Sequence, residues 1–376
     1  MNGRERFNAV THFKSFDRVF NREFGWWDEV FPEWHENGLP KEVNNDYKGD
    51  LFFKFDKYEE SGISRGLVPS FEWKVIEEDK DYKIIIDGEG VTKKMFQSGA
   101  SSIPHFLDYS LKDRESWKEF KRRLAPGMHR YPKDWKERVK KWNDPKRDYP
   151  VGINGGSIIG DPRDWIGFEN TALMFYDDPV LMEEIITTMA DLIVGTIEPA
   201  LKEVKFDYAY MWEDIAFKNG PMISPEMFKK FCVPQYKRIT SLLRKYGVDV
   251  IWLDCDGDIN SIVHLFLEGG VNGMFPLEVA CKTDPVELRK KFGKEVLLFG
   301  GVNKRELAKD KKAIDAEIEK LRPIVEGGGY IPHVDHRCPP DVSYENYLYY
   351  LKRKKEVFNI KDWDLEPVIK TFQNRV

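Results

Sequence analysis

The chain has 376 residues, 41% hydrophobic and 33% charged, with a net charge of −5. This is the composition of a globular protein with a large core, and the small net charge without a basic block argues against nucleic acid as the main partner. No run of about 18 apolar residues marks a membrane span, and the charged start MNGRERFNAVTHF lacks the apolar core of a signal peptide.

Four scattered cysteines, Cys232, Cys255, Cys281 and Cys338, read as reduced thiols, so the expected location is the cytoplasm.

In chain order, Phe7, Val10 and Phe13 at spacings of three predict a first helix over residues 2–13, an N-terminal helical extension. RVFNREFG (18–25) reads as a strand running into Trp26-Trp27, residues 29–38 as a helix, and DLFFKFD (50–56) as a second strand. Residues 65–100 alternate or run β-branched around Asp87-Gly88, which predicts a small antiparallel β excursion. Residues 105–145 form a charged helical insertion.

From residue 149 the pattern is regular. Strand-like runs at YPVGIN, FDYAYMWED, VDVIWLDCD, VNGMFPLE, VLLFGGVN and YIPHVDH alternate with helical ones, and Ser224-Pro225 is a helix start. Alternation implies parallel strands with crossovers. With residues 18–25 and 50–56 there are eight strands, and no glycine-rich dinucleotide fingerprint follows any of them. The predicted fold is therefore a (β/α)8 TIM barrel, one domain over residues 1–376.

Barrel enzymes place their chemistry at the carboxyl ends of the strands. Those ends carry Arg22, Glu23 and Trp26; Asn154 and Ser157; Trp212, Glu213 and Asp214; Asp254, Asp256 and Asp258; Glu278; Asn303; and His333, Asp335, His336 and Cys338. Strand alternation puts Asp254 and Asp256 on one face and turns Cys255 toward the helices. Carboxylates forced together must share a proton or a cation. Asp258, just before a helix, reads as an N-cap, and Glu278 as a tie between loops or a substrate ligand.

These stretches resemble the uroporphyrinogen decarboxylase superfamily, which includes that decarboxylase and the corrinoid-dependent methyltransferases of anaerobes. The resemblance runs through ERFNAVTHFKSFDRV, MWEDIAFKNGPMISPEMFKKFCVPQYKRI, DCDGDI, GVNGMFPLE, LLFGGVNKREL and GGYIPHVDHRCPPDVSYENYL. It implies a (β/α)8 barrel. The decarboxylase motif M-R-Q-A-G-R-Y, whose arginines bind propionates, corresponds to Asn21–Trp27; Arg22 is kept and the second arginine is Trp26. An indole for a guanidinium removes a carboxylate clamp and favours an aromatic ligand.

The zinc methyltransferases carry H-x-C-G and a later cysteine, matched by Asp254-Cys255-Asp256-Gly257 and His336. The resemblance thus implies a zinc site of Asp254, Asp256 and His336, hardened toward oxygen ligands.

The expected activity is transfer of a methyl group from a small methylated substrate, an aromatic ether or an amine, to a corrinoid on a separate protein. Asp254, Asp256, Glu213, Asp214 and His336 are the expected catalytic groups. Arg22, Trp26, Trp27, Asn154, Trp212, Glu278 and His333 are expected to bind substrate. The alternatives are decarboxylation of uroporphyrinogen or another carboxylated compound, with no cofactor, and a ligand-binding barrel without chemistry. A homodimer is left open.

Overall fold

The computed structural model describes residues 1–97 and 104–368. Its centre is a curled parallel sheet of seven strands in chain order. These are β1 (Glu59–Glu60), β2 (Val151–Asn154), β3 (Tyr208–Trp212), β4 (Ile251–Asp254), β5 (Gly273–Phe275), β6 (Leu297–Phe299) and β7 (Tyr330–Ile331). Helices follow the strands, among them Pro179–Glu203, Val233–Lys245, Lys311–Glu326 and Tyr344–Val357. Ser224 caps the helix Pro225–Phe231 through the Met227 N–H, as the sequence predicts.

Alternation divides the core in two. Ile251, Leu253 and Cys255 pack outward with the helices, while Trp252 joins Tyr208, Val250, Phe275, Leu297, Phe299 and Ile331 in an inner cluster. The Tyr208 and Trp252 rings stack at 4.2 Å inside it. The first helix, Gly3–Thr11, opens with a capping box between Asn2 and Glu5 and contributes Phe7 and Val10 to the same cluster.

The eighth strand is where expectation and structure part. Arg18–Gly25 is extended but forms no ladder strand. The Asn21 N–H goes to the Asp56 carboxylate at 2.8 Å, and the Asn21 carbonyl accepts from the Asp56 N–H at 2.8 Å. A side chain thus takes the place of a ladder partner. On its other flank, Gly25 O accepts from Cys338 N at 2.9 Å.

The expected strand over 50–56 is also corrected. Asn45 caps a helix over Asp46–Phe52, which leaves Leu51 61% exposed and only Phe53 of the apolar run fully buried. The neighbouring sheet strand is instead the short acidic Glu59–Glu60.

The antiparallel excursion is present as Lys74–Glu78, Tyr82–Ile86 and Thr92–Phe96, with a fourth strand at His105–Asp108 where helix was expected. Residues 98–100 of the predicted excursion lie outside the described residues. The helices Arg114–Arg123 and Trp135–Trp142 follow. Among the described residues no helix is long and apolar enough to cross a membrane.

Candidate active site at the carboxyl ends of the strands

A cavity of about 330 Å³ opens where the strands end, lined by Arg22, Phe24, Glu60, Arg65, Asn154, Tyr210, Met211, Trp212, Trp252, Asp254 and Phe275. Strand register assembles it. Asp254 pairs with Trp212 on one side and with Phe275 on the other, and Trp252 pairs with Tyr210. Five aromatic rings therefore form the walls, with two guanidiniums and two carboxyls among them. That is the mix of apolar wall and few polar groups typical of small-ligand sites.

Beside the cavity, Asp214, Asp254 and Asp256 each offer an oxygen within 4.8 Å of the others. Asp214 Oδ1 accepts from the Asp256 N–H at 3.0 Å, and His336 Nε2 lies 3.2 Å from Asp256 Oδ2. Asp256 Oδ1 is buried and has no partner. Burial, followed by the charges of Asp214 and Asp256, pushes the Asp254 carboxyl well above its usual range, with Arg65 and Arg22 opposing. Burial and Asp256 push Asp214 up to about 6. The crowded carboxyls therefore favour a proton on Asp254 over three charges.

The expected metal set was Asp254, Asp256 and His336; the structure puts Asp214 in the third place and leaves His336 attached through Asp256. The reason is the left-handed backbone at Asp214 (φ 45°), which turns that side chain onto the Asp256 amide. Three carboxylates without thiolate or imidazole among them match hard cations better than zinc. The cluster is thus all oxygen, without the imidazole of His336 that the expected zinc set of Asp254, Asp256 and His336 included.

The raised Asp214 carboxyl has a stability consequence. A folded pKa above the unfolded value means the folded state holds more protons between pH about 4 and 6, so stability falls as pH rises through that window. Asp214→Asn removes this dependence while tolerating the left-handed backbone. We expect it to unfold about 1–2 kcal/mol later than wild type at pH 7.5 in urea titrations, with the advantage vanishing near pH 4.

Several other expected residues lie elsewhere. Glu213 is fully buried, and its carboxylate accepts five bonds: from Ser157 Oγ, the Ile158, Ile159 and Gly160 amides, and Tyr236 OH. All its lone-pair positions are in use, so it ties the loop after β2 to β3 rather than facing substrate. A side chain at Gly160 would strike the Glu213 carbonyl, which explains glycine there.

Trp26 is 0% exposed and packs among Phe31, Phe53, Phe55 and Tyr347; it is core, not the entrance wall expected of it. Its backbone forms a parallel bridge to Cys338. Trp27 stacks on His336 at 5.5 Å, so it backs the acid cluster.

His333 is buried against Phe275, and its Nδ1–H donates to Val334 O at 2.8 Å, leaving Nε2 without a partner. Burial and Arg22 push it well below the usual imidazole range, so the ring is neutral. Glu278 accepts from Lys304 Nζ and the Gly257 amide, both at 3.0 Å, and is a tie between loops. Asp258 Oδ1 accepts from the Asn260 N–H within a turn, and the next helix begins only at Val263 with Ile262 at its N-cap, so Asp258 is not the N-cap expected of it.

Of the expected site residues, Arg22, Asn154, Trp212 and Asp254 line one cavity. Glu60, Arg65, Tyr210 and Trp252 were missed. Tyr210 and Trp252 were legible from alternation, sitting two residues before Trp212 and Asp254. Glu60 ends, and Arg65 follows, a two-residue strand that leaves no sequence signal.

Arg22 is held from behind. Lys354 Nζ, fully buried on the C-terminal helix, donates to Arg22 O at 3.0 Å and to Glu23 Oε1 at 2.6 Å. Tyr350 OH also donates to Glu23 Oε1, and the Val334 amide donates to Oε2. These side-chain bonds fix the segment that no ladder holds.

Among solved structures, a methyltransferase from Methanosarcina mazei shares the fold over 95% of this chain and 99% of its own, with a TM-score of 0.60 and 14% identity. A B12-independent methionine synthase from Shewanella sp. W3-18-1 in complex with selenomethionine aligns over 77% of this chain and 75% of its own at 10% identity. Its TM-score of 0.23 carries no structural argument. No curated protein matches the chain. The family model described as "Uroporphyrinogen decarboxylase (URO-D)" matches residues 158–357, which include β3 to β7 and the whole acid cluster. On that match over more than half its length, the chain belongs to the uroporphyrinogen decarboxylase family.

Proposed function

We propose that this protein is a methyltransferase that removes a methyl group from a small aromatic methyl ether carrying a carboxylate. The observation that carries the reading is the cavity itself: about 330 Å³, walled by five aromatic rings, with Arg22 buried in it and the raised carboxyl of Asp254 at its rim. A volume at the small end of ligand pockets suits one ring, and not an octa-acid tetrapyrrole.

The carboxylate lies on Arg22 and the ring between Phe275, Trp252 and Tyr210. A corrinoid on a separate protein supplies the methyl acceptor. As the methyl–oxygen bond breaks, its electron pair stays on the ether oxygen and Asp254 delivers a proton there, so a phenol leaves. Asp214 and Asp256 keep that proton on Asp254 until it is needed. No step runs through a metal, and protein purified without chelator is expected to hold zinc well below one per chain.

A second reading has one observation in its favour. The same Arg22 and protonated Asp254 could hold a carboxylate and protonate ring carbon, which is decarboxylation. The test is incubation with a panel of methoxybenzoates and reduced corrinoid, reading methyl on the corrinoid and carbon dioxide in the headspace. Methyl transfer without carbon dioxide supports the proposal. Carbon dioxide with the methyl retained, or turnover of uroporphyrinogen, overturns it.

A further inference from the structure

We propose that the cavity accepts an aromatic ring bearing two carboxylates, Arg22 taking one and Arg65 the other. The inference rests on the cavity being the substrate site and names the substrate class more narrowly.

Arg22 is 8% exposed, its Nε has no hydrogen-bond partner, and among the described residues no carboxylate lies within ion-pair distance of it. Its guanidinium lies over the Tyr58 ring at 4.5 Å, with the Trp252 and Phe275 rings at 5.8 and 5.9 Å. A buried cation without a partner is costly. A ligand carboxylate meeting the fork of the guanidinium supplies what is missing.

Arg65 reaches the same cavity from the loop after β1. Nη1 donates to Asn154 Oδ1 at 3.0 Å, which aims the group, and the guanidinium lies 5.8 Å from the Trp212 ring. Its ion pair is loose: Nε is 3.6 Å from Asp161 Oδ2. Burial pushes the Asp161 carboxyl up to about 7, which weakens it as a counter-charge. The two acids that feel both arginines, Glu60 and Asp254, are also raised by burial.

Two cations without full partners thus share one small cavity, and the walls between them are aromatic. A single anionic group satisfies only one. A flat dianion satisfies both.

The test is calorimetric titration of the whole protein with benzoate, isophthalate and terephthalate, none of which carries a methyl group. At least one dicarboxylate is expected to bind about tenfold or more tighter than benzoate, the value of one added charge-assisted contact. Arg65→Gln should bring that dicarboxylate to within about threefold of benzoate and leave benzoate unchanged. Arg65→Lys, which keeps the charge and loses the fork, should fall between, and serves alone if Arg65→Gln shifts the thermal midpoint.

Equal affinity for benzoate and both dicarboxylates overturns the proposal, as does no binding at all or indifference to both Arg65 variants. Dicarboxylate preference without methyl transfer would leave this inference standing and refute the reaction alone.

Discussion

Lys354→Met should cost about 3–5 kcal/mol of folding stability, the range for breaking one half of a buried ion pair. Lys354 has no solvent contact, and among the described residues its ammonium is the only cation paired with Glu23. Burial lowers the lysine pKa while Glu23 raises it, so the charged form exists there because the carboxylate does. Deleting the ammonium leaves the Glu23 carboxyl in a dry site with Tyr350 and the Val334 amide as its remaining donors among the described residues. Urea unfolding should show a lower midpoint at unchanged slope. Adding Glu23→Gln should recover part of the loss, because the pair is costly mainly when half of it remains. The single variant should also weaken carboxylate binding, since Arg22 O loses its donor.

Asp254→Asn should lower turnover by about 10²-fold or more, the usual contribution of a positioned proton donor. The amide has the shape and neutral charge of the protonated acid but no comparable proton to give. Affinity for a carboxylated ring should therefore change little. Were Asp254 ionised in the resting protein, the same substitution would remove a negative charge beside Arg22 and tighten anion binding markedly. The paired measurement of kcat and ligand affinity separates the two.

The later part of the chain was legible because each buried strand ends in polar residues, and alternation alone assigned faces to Asp254, Asp256 and Cys255. The first sixty residues were harder. LFFKF reads as a strand, yet the Asn45 cap starts a helix there. Glu59–Glu60 pairs with Val151 and Gly152 with no apolar residue to announce it. That error hid Glu60 and Arg65. Glu213 misled for another reason: an acid at a strand end looks the same in sequence whether it meets substrate or five donors of its own chain. Asp214 replaced His336 in the acid cluster through a backbone twist that residue type does not encode.

The proposed proton delivery requires a proton resident on Asp254 at neutral pH. Infrared difference spectroscopy between wild type and Asp254→Asn at pH 7 reads that proton directly. The substitution is expected to remove a protonated-carboxyl stretch from the wild-type spectrum. Loss of an ionised-carboxylate band, with the protonated region unchanged, would contradict it.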